Sequence, residues 1–105
     1  SLLKTLLKME GYTVVAVDAD ADVPAAVRAE APDLLLLDVH LSRQDGLAIL
    51  DQLRAEADTR LLAVVMSSGM NLREECLRRG ASEFLLKPYM PDDLVSTLRK
   101  VLNPA

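Results

Sequence analysis

Asp38, Ser67-Ser68 and Lys87 each close an apolar run. Asp38 follows Leu34-Leu35-Leu36-Leu37, the serines follow Val64-Val65-Met66, and Lys87 follows Phe84-Leu85-Leu86. If the three runs are strands of one parallel sheet, a carboxylate, a hydroxyl and an ammonium meet along one edge. Each can serve one atom group of a phosphoryl transfer. A carboxylate can attack phosphorus and become an acyl phosphate. A hydroxyl can donate to a phosphoryl oxygen, and an ammonium can offset its charge as a point cation. A covalent phosphate adds roughly −1.5 to −2 charges at neutral pH, which calls for that cation and usually for a divalent metal. Taken singly the residues say little. Asp38 fits a strand cap or turn opener as well as a ligand site. Lys87 alone fits a solvated strand end, Phe84 alone fits plain core, and Asp45-Gly46 fits simple turn chemistry.

The elements that must position these residues follow from periodicity and punctuation. Leu34 to Asp38 is short, apolar throughout, opened by Pro32-Asp33 and followed by a polar loop over His40 to Asp45. That is how a central parallel strand reads when both its faces are covered. Thr13 to Val17 is β-branched and apolar, hence a strand. Further strands are expected over Leu61 to Ser67 and Ser82 to Leu86. Between them, helices are expected from Leu2 to the stop at Gly11 and, after a polar turn over Asp18 to Asp22, to about Ala31, with Pro24 tolerated near the first turn. Another is expected over Gly46 to Ala57, burying Leu47, Leu50 and Leu53. A short one after Asn71 carries Leu72, Cys76 and Leu77, and Gly80 ends it. The last starts at Pro91 and buries Leu94, Leu98, Val101 and Leu102. Asn103-Pro104 ends it, and only Pro104-Ala105 could begin a linker. The order αβαβαβαβα predicts a parallel sheet with helices on both faces.

The chain has 105 residues, half of them hydrophobic, with a net charge of −4 and a pI of about 4.9. That is one domain of ordinary globular composition. An acidic balance argues against a nucleic-acid grip by this domain, since phosphate neutralisation needs a basic face. The single cysteine, Cys76, excludes an internal disulfide and a thiolate zinc cluster. It falls on an apolar stripe and reads as a buried structural thiol. No apolar run approaches membrane-spanning length and no signal peptide is visible, so a soluble cytoplasmic protein with no membrane partner is expected.

The combination of Pro32-Asp33-Leu34-Leu35-Leu36-Leu37-Asp38, Asp45-Gly46, Val64-Val65-Met66-Ser67-Ser68-Gly69 and Gly80-Ala81-Ser82-Glu83-Phe84-Leu85-Leu86-Lys87-Pro88-Tyr89 resembles the receiver domain of two-component response regulators. The likeness covers essentially all of 1–105. It implies an α/β, flavodoxin-like, doubly wound parallel sheet of strand order 2-1-3-4-5. It further implies a phosphorylation switch whose partner is a histidine kinase or a histidine phosphotransfer protein, with a homodimer or a downstream effector at the output. Such a domain is a signalling switch that catalyses only its own phosphotransfer and dephosphorylation. Position by position, Asp38 matches the phosphoacceptor and Lys87 the phosphate-binding lysine. Ser68, rather than Ser67, matches the switch hydroxyl, because Gly69 fits the small residue that follows it. Phe84 matches the aromatic switch position. The bond before Pro88 is expected to be cis. Mg²⁺ is the implied cofactor, with Asp38 and the backbone carbonyl of His40 as ligands. The side chain of His40, the only histidine, reads as solvent-facing.

The match departs from the family in four places. The sequence begins inside what corresponds to the first helix, so the first strand and the acidic pair at its end are absent from it. In the order 2-1-3-4-5 that strand is internal, and its removal is expected to leave a slot in the sheet and unpaired backbone groups. The stretch from Ser68 to Gly80 is short by roughly one helical turn, three to four residues, so the helix within it is trimmed. Ser42 and Met90 replace a common proline and a common capping residue. Two other functions compete. One is a degenerate receiver that binds protein partners without phosphate, supported by the missing acidic pair. The other is a flavodoxin-like enzyme or nucleotide binder. It needs a glycine-rich phosphate loop, and the four glycines are not clustered.

Overall fold

Pro32 and Asp33 break the chain after the second helix, and the four leucines that follow have no polar residue to spare for solvent. They form the first of three parallel strands. The computed structural model describes residues 2–103. It contains helix α1 (Leu2–Met9), helix α2 (Val23–Glu30), strand β1 (Leu34–Asp38), helix α3 (Gly46–Ala55), strand β2 (Ala63–Ser68), helix α4 (Arg73–Arg78), strand β3 (Glu83–Leu86) and helix α5 (Pro91–Leu102). The sheet has the order β1-β2-β3. β1 pairs with β2 in a parallel register that sets Leu37 beside Met66 and Asp38 beside Ser67. β2 pairs with β3 so that Met66 lies beside Phe84 and Ser68 beside Leu86.

Strand side chains alternate between faces, and the two faces have separate cores. Leu37, Val64, Met66 and Phe84 pack with Val23 and Val27 of α2, Ile49, Leu50 and Leu53 of α3, and Cys76 of α4. Val65 and Leu85 pack on the other face with Leu7 of α1 and Leu94 and Leu98 of α5. Each fully buried aliphatic side chain stabilises the fold by about 1.5–3 kcal/mol relative to exposure, so these two layers fix the edge on which the candidate residues sit. Helices on both faces of a parallel sheet bear out the predicted architecture.

Four strands were expected and three form among the described residues. Thr13 to Val17 is not a strand: it joins no ladder, and Val15 and Val17 are exposed while Val14 packs at the margin of the second core. The cause is the missing neighbour. In the expected order this segment would pair with a strand lying between it and β1, and no described residue supplies that strand. Without a partner its N–H and C=O groups have no ladder to join.

Smaller differences are local. α3 ends at Ala55 rather than Ala57. Leu77 is exposed, because α4 turns the Leu72 and Cys76 face inward and Leu77 lies about 100° away from Cys76. α4 has only six residues, in line with the short stretch in the sequence. Asn71 assists its start without capping it, accepting from the Arg73 N–H at 3.3 Å, while Leu72 holds the cap position. Pro91 is the first residue of α5, as expected, and the Asp93 carboxylate accepts from the Met90 N–H at 3.0 Å. The expected linker at Pro104-Ala105 lies outside the described residues. Among those described, no helix is long and apolar enough to cross a membrane.

Candidate functional site

Asp38 is the last residue of β1, and the next turn is tightly determined. The Val39 N–H donates to the Ser67 carbonyl at 2.8 Å, which carries the ladder one residue past the strand. The Gly46 N–H donates to the Val39 carbonyl at 2.7 Å. The Asp45 carboxylate then caps α3 by accepting from the Leu47 N–H at 2.9 Å. Asp45-Gly46 is therefore more than a turn. A Cβ on Gly46 would overlap the Asp38 carbonyl oxygen and lie 2.9 Å from Val39 Cα, so only glycine lets α3 start against the end of β1. The far side of the loop is tied down too. Ser42 Oγ donates to Asp20 Oδ1 at 2.7 Å, and Gln44 Nε2 donates to the carbonyls of Ala19 and Ala21 at 2.8 and 2.9 Å.

Lys87 directly follows β3, where its N–H donates to the Ser68 carbonyl at 2.8 Å, and the Lys87–Pro88 peptide is cis, as expected. Its Nζ lies 3.0 Å from Asp38 Oδ2. The other carboxylate oxygen, Oδ1, accepts the hydroxyl of Ser67. Carboxylate, hydroxyl and ammonium therefore do meet on one edge. They share a face because the register sets Asp38 beside Ser67 and Lys87 continues the parity of Leu85. The Asp38 and Lys87 side chains keep 39% and 43% of their surface, so an incoming phosphoryl donor can reach them.

The hydroxyl at Asp38 belongs to Ser67, not to Ser68. Ser68 lies on the opposite face with Met66 and Phe84, buried, and its Oγ accepts from the Met70 N–H at 3.1 Å. Phe84 is buried among the core of that face and its ring points inward. His40 is exposed, as read from the sequence, and sits in a backbone bridge to Asp45. Among the described residues no three His, Cys, Asp or Glu side chains converge to hold a metal ion. Asp38 and the His40 carbonyl therefore do not by themselves make the Mg²⁺ site that the resemblance implies.

Two neighbours escaped the sequence reading. Gly69 draws the motif match to Ser68 and away from Ser67. The signal that finds it is strand parity, which sets Ser67 on the Asp38 face. Tyr89 is the other. Burial pushes its hydroxyl pKa up, and the charges of Lys87 and Asp38 act on it with opposite signs. It thus lies within electrostatic reach of the pair, on the second core.

The model of the response regulator receiver domain matches residues 1–99 of this chain. The transcriptional regulatory protein CpxR of Klebsiella pneumoniae subsp. pneumoniae is 35% identical over 103 residues, which span 98% of this chain and 44% of that protein. ZraR of Salmonella typhimurium, also a transcriptional regulatory protein, is 34% identical over 103 residues, 97% of this chain and 23% of that one. The receiver domain of NtrX from Brucella abortus superimposes with a TM-score of 0.82 at 34% identity, covering 99% of this chain and 89% of that one. The curated relatives are named as regulators of transcription, signalling proteins rather than metabolic enzymes, and the chain spans 42% of the length of one of them. On the fold, the sheet edge and these likenesses, the chain belongs to the response regulator receiver domain family.

Proposed function

We propose that this domain is the phosphoacceptor switch of a two-component system, phosphorylated on Asp38 by a histidine kinase or a histidine phosphotransfer protein in the cytoplasm. The observation that carries the reading is Lys87 Nζ at 3.0 Å from Asp38 Oδ2 on the carboxyl edge of a parallel sheet. In the proposed reaction Asp38 Oδ2 attacks the phosphorus of a phosphohistidine, the P–N bond breaks, and the imidazole leaves with the electron pair. Lys87 then exchanges a carboxylate partner for a phosphoryl oxygen of greater charge. Ser67, whose hydroxyl already donates to Asp38 Oδ1, turns that hydroxyl to the phosphoryl group, while Ser68 stays on the opposite face against the Met70 N–H. Phe84 is already inside the core on the Ser68 face, so the coupling to the outer surface of β3 and its flanking helices is a repacking of a buried ring.

Receiver domains generally use Mg²⁺ in this step. Asp38 and the His40 carbonyl are what the described residues would offer it. A switch from mostly off to mostly on requires about 5.5 kcal/mol of differential stabilisation. Several charge-assisted hydrogen bonds at about 1.5–3 kcal/mol each are of that order. The test is binding of beryllofluoride with Mg²⁺ by the full-length protein, with Asp38→Asn as control. Binding by the wild type alone supports the reading. An equal response in Asp38→Asn, or none in either, replaces it with phosphate-independent partner binding.

A further inference from the structure

A tight hairpin follows Asp38, and its tip is fastened to a distant part of the chain. His40 and Asp45 bridge antiparallel, and Leu41 and Gln44 exchange backbone hydrogen bonds at 3.2 and 3.4 Å across the Ser42-Arg43 turn. From this tip Ser42 Oγ donates to Asp20 Oδ1, and Gln44 Nε2 gives its two protons to the carbonyls of Ala19 and Ala21. The proline common at position 42 would have no side-chain donor to give. Residues 13–21 join no ladder, and among the described residues no other hydrogen bond ties them to the rest of the fold. Asp22 comes next and caps α2, accepting from the Ala25 N–H at 3.1 Å. We propose that Ser42 and Gln44 form a latch that opens when Asp38 is phosphorylated and carries that event to the start of α2, an inference that rests on Asp38 as phosphoacceptor.

The latch ends on like charge. Asp18, Asp20 and Asp22 are exposed, and among the described residues none of them is in an ion pair. Asp45, at the base of the hairpin, is exposed as well. An acyl phosphate carries roughly −1.5 to −2 charges where the free carboxylate carries one. Lys87 balances the carboxylate, so phosphorylation leaves an excess of negative charge on the residue from which the hairpin rises. The bonds that resist it are weak. Ser42 and Asp20 are exposed, and a hydrogen bond that water can replace contributes little net stability. A modest repulsion is therefore enough to part hairpin and acidic segment. Opening releases the carbonyls of Ala19 and Ala21, and Asp22 beside them loses its anchor at the head of α2.

The test is amide hydrogen exchange followed by NMR on the full-length protein, with and without beryllofluoride and Mg²⁺. The N–H groups of Ala21, Ala25 and Ala26, bonded to Asp18 and Asp22, read the latch. Chemical shifts of β3 amides read the occupancy of Asp38. Wild type is compared with Asp38→Asn, with Asp20→Asn, and with the double variant Ser42→Ala, Gln44→Ala. Asp20→Asn keeps an acceptor for Ser42 and drops the charge. In the wild type the three amides are expected to exchange about tenfold faster once beryllofluoride binds, with no change in Asp38→Asn. The double variant should exchange fast in both states, and Asp20→Asn should respond less than the wild type. A β3 response in the wild type with no change at the three amides overturns the latch and leaves the phosphoacceptor standing. Amides that still speed up on binding in the double variant overturn it too. An Asp20→Asn response equal to wild type overturns like charge as the opening force. If the double variant does not fold, Gln44→Glu, which has the same shape and no amide proton to give, is judged by the same outcomes. Absence of any β3 response in the wild type overturns the phosphoacceptor reading and this inference together.

Discussion

Lys87 Nζ and Asp38 Oδ2 stand 3.0 Å apart across the width of the three-stranded sheet, with β2 between their strands. Both side chains are more than a third exposed, so water screens the pair and its share of stability is small, at most about 1 kcal/mol. Its weight lies in the charged state it awaits. Lys87→Met is expected to leave the urea midpoint nearly unchanged, within about 1 kcal/mol, and to abolish the chemical-shift response of β3 amides to beryllofluoride. A large loss of stability without loss of that response would make the lysine structural.

Gly46 should be the least replaceable glycine. A Cβ there overlaps the carbonyl oxygen of Asp38, which is backbone and cannot rotate away. Gly46→Ala must push α3 off the end of β1 or move Asp38 itself. The expected cost is about 2 kcal/mol or more, measured by chemical denaturation, together with weakened phosphorylation. Gly69→Ala is the control, because its Cβ would meet nothing within 4 Å, and its effect should stay within about 0.5 kcal/mol.

The contrast between β1 and the segment before α2 explains how far the sequence could be read. Leu34 to Asp38 was legible because two covered faces leave a continuous apolar run, and its carboxylate edge followed from alternation of strands and helices. Thr13 to Val17 has an equally good strand composition and forms no strand, since pairing depends on a neighbour that local composition cannot supply. The site divided in the same way. Asp38 and Lys87 were legible because each terminates its own run. The hydroxyl was assigned to Ser68 by motif, whereas register, which counts parity across strands, sets Ser67 on the Asp38 face.

Glu83 ties β3 to the helices on both faces. It is buried, its Oε1 lies 2.6 Å from Arg73 Nη1 of α4, and its Oε2 lies 3.3 Å from Lys100 Nζ of α5. Burial alone would push its carboxyl pKa up, but the Phe84 N–H, Arg73 and Lys100 outweigh burial and hold it below its ordinary value. A carboxyl with a lower pKa folded than unfolded adds stability above its unfolded pKa and loses it as pH falls through the folded pKa. For Glu83 that loss begins near the ordinary value of 4.5 and continues below it. Glu83→Gln is expected to cost about 1–3 kcal/mol at neutral pH. The wild type and variant curves of stability against pH should converge in acid, and parallel curves would remove Glu83 from the titration.

Cys76 offers a direct probe of the core beneath α4. It is fully buried against Phe84 and Ala81 of the same cluster. Burial pushes its thiol pKa up, Glu75 adds to that, and Arg79 opposes it. Thiolate is the reactive form, so the native protein should resist an aromatic disulfide reagent at pH 8 and react with a single equivalent once unfolded in guanidinium. Because it is the only cysteine, the rate of labelling without denaturant reports how often this layer opens. If Phe84 is the ring that repacks when the switch is thrown, beryllofluoride should change that rate in the wild type and leave it unchanged in Asp38→Asn. Rapid labelling of the native protein would instead mean that α4 does not seal the core, and that the surface beyond β3 is already open before any phosphoryl group arrives.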